Sequence, residues 1–214
     1  MFLDRKDAGK KLAQKLKKYQ QKKDVIILAI PRGGVAVAVE VAKMLKLPLD
    51  LIIVRKLPMP DEPEAGIGAV SETGEIVWQP HVKLYPKKIV DQILKQQKRE
   101  IQKRLKILRE EKSLPPLKGK IVILIDDGLA MGSTMICAIK TVKKFNPQKI
   151  IVAVPISGKE TLEKIKKMVD EIICLETPSP FYAVAQGYRL WHDLTDEEVK
   201  EILKSYKKNA RKRK

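Results

Sequence analysis

Residues 121–134 read I-V-I-L-I-D-D-G-L-A-M-G-S-T. Five apolar, mostly β-branched residues, Ile121 to Ile125, suit a strand covered on both faces in a parallel sheet. Asp126 and Asp127 stand at its C-terminal end. A short loop holding Gly128 and Gly132 follows. From Thr134 the apolar residues Met135, Cys137, Ala138, Ile139 and Val142 continue as a helix. In an open α/β sheet, ligands bind beyond the carboxyl ends of the strands. A helix that opens there turns its first N–H groups and the positive end of its dipole toward an anion. The carboxylates suit sugar hydroxyls or a metal, and the loop suits a phosphate. A sugar phosphate satisfies both.

Working outward, residues 25–30 form an apolar strand that runs into Pro31-Arg32-Gly33-Gly34, and residues 35–45 follow as a helix. Residues 49–54 predict a second strand with a basic end, Arg55-Lys56. Three prolines and three acids make 57–64 a loop, and 66–70 with 75–78 suit a small hairpin. An amphipathic helix is expected over 7–20 and a long one over 87–112, polar all round at 95–100 and stopped by Pro115-Pro116. Residues 150–154 and 171–175 are further strands. Ser157 with Glu160, and Thr195 with Glu198, have the spacing of capping boxes that open the intervening and final helices. Alternating strands and helices imply an α/β fold, a mainly parallel twisted sheet with helices on both faces. It would carry a helical basic insertion at 83–116 and a small hood or hairpin. The expected organisation is one domain over 1–206 and a basic, disordered tail at 207–214.

The 214 residues carry a net charge of +18, and its placement decides what that charge means. Residues 1–24 hold nine Lys/Arg against three Asp/Glu, 83–112 hold eleven against four, and 207–214 hold six against none. The remainder is nearly neutral, so the excess lies in peripheral segments and reads first as solvated lysine faces. Nucleic-acid binding is the less favoured reading, because few aromatics lie among the basic residues. No apolar run is long enough to span a bilayer, and the start of the chain lacks a secretory signal, so a cytoplasmic location is expected. Cys137 and Cys174 lack metal-ligand spacing and read as small core hydrophobes. His81 and His192 read as structural or surface residues without recognisable partners.

The strand, the acidic pair, the short loop and the Gly-x-Thr at 132–134 resemble the phosphoribosyl-pyrophosphate (PRPP) signature of the type I phosphoribosyltransferases. Residues 26–34 are similar to that family's first strand and pyrophosphate loop, and residues 51–56 to its next strand. The closest likeness is to a little-characterised branch with P-R-G-G early, D-D-G-x-A-x-G-x-T-M in the middle, and late pieces found here at 181–184 and 196–199.

This resemblance implies several roles. Ala130, Met131, Gly132, Ser133 and Thr134 would wrap a 5′-phosphate. Many relatives have Thr where this chain has Met131, which removes one hydroxyl donor. Asp126 and Asp127 would bind the ribose hydroxyls and stabilise positive charge at the reacting carbon. The other reading has one of them capping the turn. Arg32, Gly33 and Gly34 would form the pyrophosphate loop, which in this family often contains a strained cis peptide. Arg55 and Lys56 would neutralise the leaving group, and 58–64 would act as a flap, its acids Asp61, Glu62 and Glu64 being poor phosphate ligands. Mg²⁺ is the implied cofactor, bound chiefly through substrate oxygens, with no protein metal ligands assigned. Ala130 stands where the 6-oxopurine branch has an Asp, which argues against hypoxanthine-guanine activity. Phe181 and Tyr182, with Tyr188 and Trp191 nearby, either stack on a base or pack the core or a dimer contact. The implied function is transfer of the phosphoribosyl group from Mg-PRPP to a nucleobase by a homodimer. The alternatives are a non-catalytic PRPP or nucleotide sensor that binds nucleic acid through its basic segments, and a phosphohydrolase-like or scaffolding use of the fold.

Overall fold

A strand covered on one face alternates apolar and polar residues. Residues 25–29 and 121–125 do not alternate, because layers of structure cover both faces. The computed structural model describes residues 1–62, 65–110 and 112–211. In chain order its elements are α1 (Arg5–Lys15), β1 (Val25–Ala29), α2 (Gly33–Leu45), β2 (Leu49–Leu51), β3 (Val54–Pro58), β4 (Gly66–Ser71), β5 (Ile76–Trp78), α3 (Lys87–Arg109), β6 (Ile121–Ile125), α4 (Ser133–Lys143), β7 (Lys149–Ile156), α5 (Lys159–Lys166), β8 (Glu171–Glu176) and α6 (Asp196–Arg211).

The main sheet has the order β2-β1-β6-β7-β8, with every pair parallel. Successive residues of one strand feed two different cores. Val25, Ile27, Ile121, Ile123 and Ile151 pack with residues of α1, α2, α3 and α6. Ile26, Leu28, Val122, Leu124 and Val152 pack on the other face with α4 and with Ile165 of α5. That division follows from the two-residue period of a strand. The N-cap Asp4 accepts from Asp7 N at 2.8 Å and starts α1. Thr195 and Glu198 exchange the two bonds of a capping box and start α6.

A second, antiparallel sheet, β3-β4-β5, forms the hood. The expected hairpin is its outer part, and the strand expected over 49–54 is divided. Leu49–Leu51 stays in the main sheet, and Val54–Pro58 opens the hood. Ile52 and Ile53 between them are fully buried, so no polar residue marks the change of sheet. Arg55 and Lys56 therefore lie within a hood strand, not at the end of the second main-sheet strand.

Three further expectations are corrected. Ser157 Oγ donates to Gly158 O, and Gly158 is the N-cap of α5 with no side-chain cap, so the box with Glu160 does not form. Helix α6 continues through 207–211, where a disordered tail was expected to begin. Residues 212–214, like Pro63 and Glu64 of the expected flap, lie outside the described residues. Within the stretch expected to be polar all round in α3, Gln97 is buried. Among the described residues, no helix is long and apolar enough to cross a membrane.

Candidate active site

Strands β1 and β6 lie side by side in register, with Ala29 opposite Ile125. The sheet extends outward from this pair in both directions, to β2 on one side and to β7 and β8 on the other. The crevice beyond the ends of such a pair is the binding position of open α/β sheets. Residues 31–34 leave β1 there, and Asp126 and Asp127 leave β6. The peptide between Pro31 and Arg32 is cis. The two segments touch so closely that a Cβ on Gly33 would stand 1.8 Å from Asp127 Oδ2. Any larger residue at 33 must displace that carboxylate.

The paired acids are not equivalent. Asp126 Oδ1 accepts from Asp127 N at 2.9 Å. Burial, and then the neighbouring Asp127 charge, push its carboxyl well above the ordinary range. Asp127 Oδ2 accepts from Arg5 Nε at 2.8 Å. Arg5 in turn lies over the Trp191 ring at 3.8 Å and donates from Nη1 to His192 O. The Tyr188 hydroxyl donates to Asp127 O. Asp127 is thus held from three sides of the chain, and Asp126 is the carboxylate at the junction of two cavities.

The first cavity, about 540 Å³, runs along residues 128–135 and reaches Tyr182, Trp191 and Asp193. Helix α4 opens into it with no side-chain cap. Gly132 has φ +78°, a conformation that favours glycine, and a Cβ there would also meet Thr161 Cγ2 at 2.7 Å. Thr161 Oγ1 pins the loop by donating to Ala130 O at 2.7 Å. The second cavity, about 470 Å³, is lined by Arg32, Arg55, Gln97 and Arg104 together with both aspartates. Asp126, Lys56 and Thr134 line both. A larger groove of about 730 Å³ between α3 and the 71–74 turn shares no residue with either and holds neither the acid pair nor the glycine loop.

The comparisons bear on the chain as a whole. Residues 2–190 match the phosphoribosyl transferase domain family. The chain belongs to the phosphoribosyltransferase family. A Mycobacterium tuberculosis protein provisionally named a phosphoribosyl transferase is 38% identical over 209 residues, 95% of this chain. The match spans 46% of that protein, so the chain covers about half the length of this curated relative. The crystal structure of TT1426 from Thermus thermophilus is 36% identical, with a TM-score of 0.77 over 96% of this chain and 99% of that one. AQ2163 from Aquifex aeolicus, at 17% identity and TM-score 0.53 over 81% of this chain and 74% of that one, shares the fold alone. The parallel sheet with its antiparallel hood is the type I phosphoribosyltransferase fold.

Most of the residues expected from the sequence border these two cavities. Residues 130–134 line the first cavity, with Ser133 buried and Met131 exposed. Arg32, Arg55 and Lys56 line the second. Of the aromatic candidates, Tyr182 lines the first cavity and is 82% exposed, whereas Phe181 packs in a small cluster with Phe2, Ile156 and Tyr188. Both histidines have partners: His81 Nε2 pairs with Gly66 O at 2.9 Å, and His192 Nε2 with Glu198 Oε1 at 3.1 Å. Burial pushes the Cys137 thiol up to about 12 and that of Cys174 to about 11, which suits packing rather than nucleophilic chemistry.

Three residues at the site escaped the reading of the sequence: Arg5, Gln97 and Arg104. Arg55 donates from Nε to Gln97 Oε1 at 3.0 Å, and Arg104 Nε stands 2.9 Å from Asp196 Oδ1 of α6. Burial first, then Arg104 and Arg32, push the Arg55 guanidinium below its ordinary value. A usable signal was present. The chain has nine arginines against thirty-five lysines, and Arg5, Arg104 and Arg109 are all buried. Where lysine covers the surface, an arginine marks a place that needs a planar, paired cation.

Proposed function

We propose that this chain transfers the 5-phosphoribosyl group of Mg-PRPP to a nitrogenous base and releases pyrophosphate. The observation that carries the reading is the position of Asp126 between an uncapped helix start and a cavity walled by arginines. A ribose lying over Asp126 would place its 5′-phosphate at residues 130–134 and its diphosphate toward Arg32, Arg55 and Lys56. The C1–oxygen bond breaks, and the diphosphate leaves with the bonding pair. A nitrogen of the acceptor supplies a new pair to C1 from the other side, and its proton is lost to solvent or to the departing diphosphate. Asp126 stabilises the positive charge that develops at C1 and the ring oxygen, and the cationic wall takes the leaving charge. The chain contributes position and electrostatics, and no covalent nucleophile is required.

Among the described residues, no group of three or more His, Cys, Asp or Glu gathers as a metal cage. One carboxylate between two substrate cavities fits an ion held mainly by the substrate, so Asp126 is the residue that would touch Mg²⁺. The bound ion would supply neutralisation of the diphosphate oxygens. Tyr182 and Trp191 lie on the side where a flat acceptor would stack. The reading goes with a cytoplasmic enzyme acting as a homodimer. Its test is pyrophosphate release from Mg-PRPP against a panel of purine and pyrimidine bases. Release dependent on one base would establish the activity and name the acceptor. Tight PRPP binding without release for any base would replace transfer with sensing.

A further inference from the structure

Helix α3 buries Val90, Gln97, Ile101, Arg104 and Leu108 along one stripe, and beside it Arg109, which pairs with Glu72. The spacing is that of a packing face, in which every position is normally apolar. Two of the five are polar and deeply buried, Gln97 at 5% and Arg104 at 6% exposed. Placing a guanidinium and an amide there costs stability unless a partner compensates, and apolar residues of similar volume would pack the helix as well or better. Packing therefore does not explain them. Gln97 and Arg104 are seven residues apart, two turns and about 10 Å along the axis, and both line the cavity that holds Arg32 and Arg55.

The partners they have are incomplete. Gln97 accepts from Arg55 Nε, which fixes the plane of that guanidinium. Arg104 Nε is close to Asp196 Oδ1, yet neither buried atom makes an aligned hydrogen bond. Three guanidiniums border one cavity, and among the carboxylates near them Asp127 is already paired with Arg5.

We infer that α3 is a wall of the diphosphate subsite, in which Arg104 contacts the anion and Gln97 is a positioning residue that aims Arg55 at it. The inference rests on the phosphoribosyl-transfer reading above and adds to it. The ligand class is an inorganic diphosphate or a diphosphate ester, which carries more negative charge than a single phosphate to set against the three guanidiniums of the cavity.

The experiment is calorimetric titration of the full chain with pyrophosphate in the presence of Mg²⁺, and separately with ribose 5-phosphate, with folding checked by circular dichroism. The wild-type protein should bind both. Arg104→Gln should lose about tenfold to a hundredfold in pyrophosphate affinity, as for a charge-assisted hydrogen bond. Gln97→Leu should lose less, and both variants should keep their affinity for ribose 5-phosphate. Asp196→Asn breaks the same ion pair but leaves Arg104 in the cavity, so it should keep pyrophosphate affinity. If Arg104→Gln binds pyrophosphate as the wild type does, or Asp196→Asn loses as much as Arg104→Gln, the role of α3 is structural and the inference falls alone. Equal losses for both ligands in Gln97→Leu would likewise reduce Gln97 to a packing residue. A wild-type protein that binds neither ligand would overturn the functional reading and the inference with it.

Discussion

The two halves of the site are built differently. The half that would hold the ribose phosphate comes from one continuous segment, residues 126–134, at the end of one strand and the start of one helix. The half that would hold the diphosphate is assembled from β3, α3 and the loop after β1, with residues 32, 55, 97 and 104 converging from distant parts of the chain. The first half depends on local backbone geometry. The second depends on how α3 docks. A change in the first should abolish chemistry while sparing the fold, and a change in the docking of α3 should affect both.

The largest effect should come from Asp126→Asn combined with Asp127→Asn. We expect pyrophosphate release from Mg-PRPP to fall by roughly a thousandfold or more, with an unchanged circular dichroism spectrum. Unchanged turnover would break the comparison at its stronger end.

The next effect concerns the docking of α3. Arg109 Nη1 donates to both Glu72 oxygens at 2.8 and 2.7 Å, and its Nη2 donates to Lys112 O. Both side chains of the pair are buried, at 4% and 6% exposure. Glu72→Ala leaves the guanidinium buried with two backbone carbonyls, Leu51 O and Lys112 O, and with Asp50 at 3.8 Å as its remaining carboxylate partner among the described residues. It should cost about 3 kcal/mol in urea denaturation and weaken pyrophosphate binding more than ribose 5-phosphate binding.

A smaller effect has the opposite sign. The raised Asp126 carboxyl binds its proton more tightly in the folded chain than in the unfolded one. The folded state then holds more protons between the ordinary carboxylate value and the raised one, so stability declines as pH rises through that window. Asp126→Asn removes this loss. Its melting temperature should exceed that of the wild type at neutral pH, and the gap should close toward pH 4. A gap that widens on acidification would contradict the burial of this acid.

The smallest effect belongs to the outer face of α3. Lys95 and Lys98 are exposed on the helix that carries Gln97 and Arg104 inward. Replacing both with Gln should change stability by no more than about 0.5 kcal/mol and leave pyrophosphate affinity within twofold at physiological salt. A large loss would move the functional face of α3 outward and revive the nucleic-acid reading.

These differences also explain what was legible in the sequence. Residues 121–134 could be read because strand, acids, glycines and helix follow one another without interruption in the sequence. The hood sheet was half legible. Its hairpin turn at 72–74 showed, but the division of 49–54 did not, since Ile52 and Ile53 are as apolar as strand interiors. Arg5 could not be read as a partner of Asp127, because nothing local links positions 122 residues apart. The stripe of α3 was visible only in part. Ile101, Leu105 and Leu108 marked a helix, but a buried Gln97 looks like a solvated one until tertiary packing is known.

The clamp on Asp127 has a consequence for the order in which this protein matures. Arg5 belongs to the first helix. Tyr188 and Trp191 follow the last strand of the main sheet. Phe2 N donates to Gly187 O between them. The carboxylate is therefore fixed only when Arg5 has met both Asp127, 122 residues away, and His192, 187 residues away, contacts of large loop-closure cost. A chain emerging from synthesis can complete β1, β6 and their helices with no competent acid pair. Species that lack this contact should therefore be catalytically silent however native their sheet.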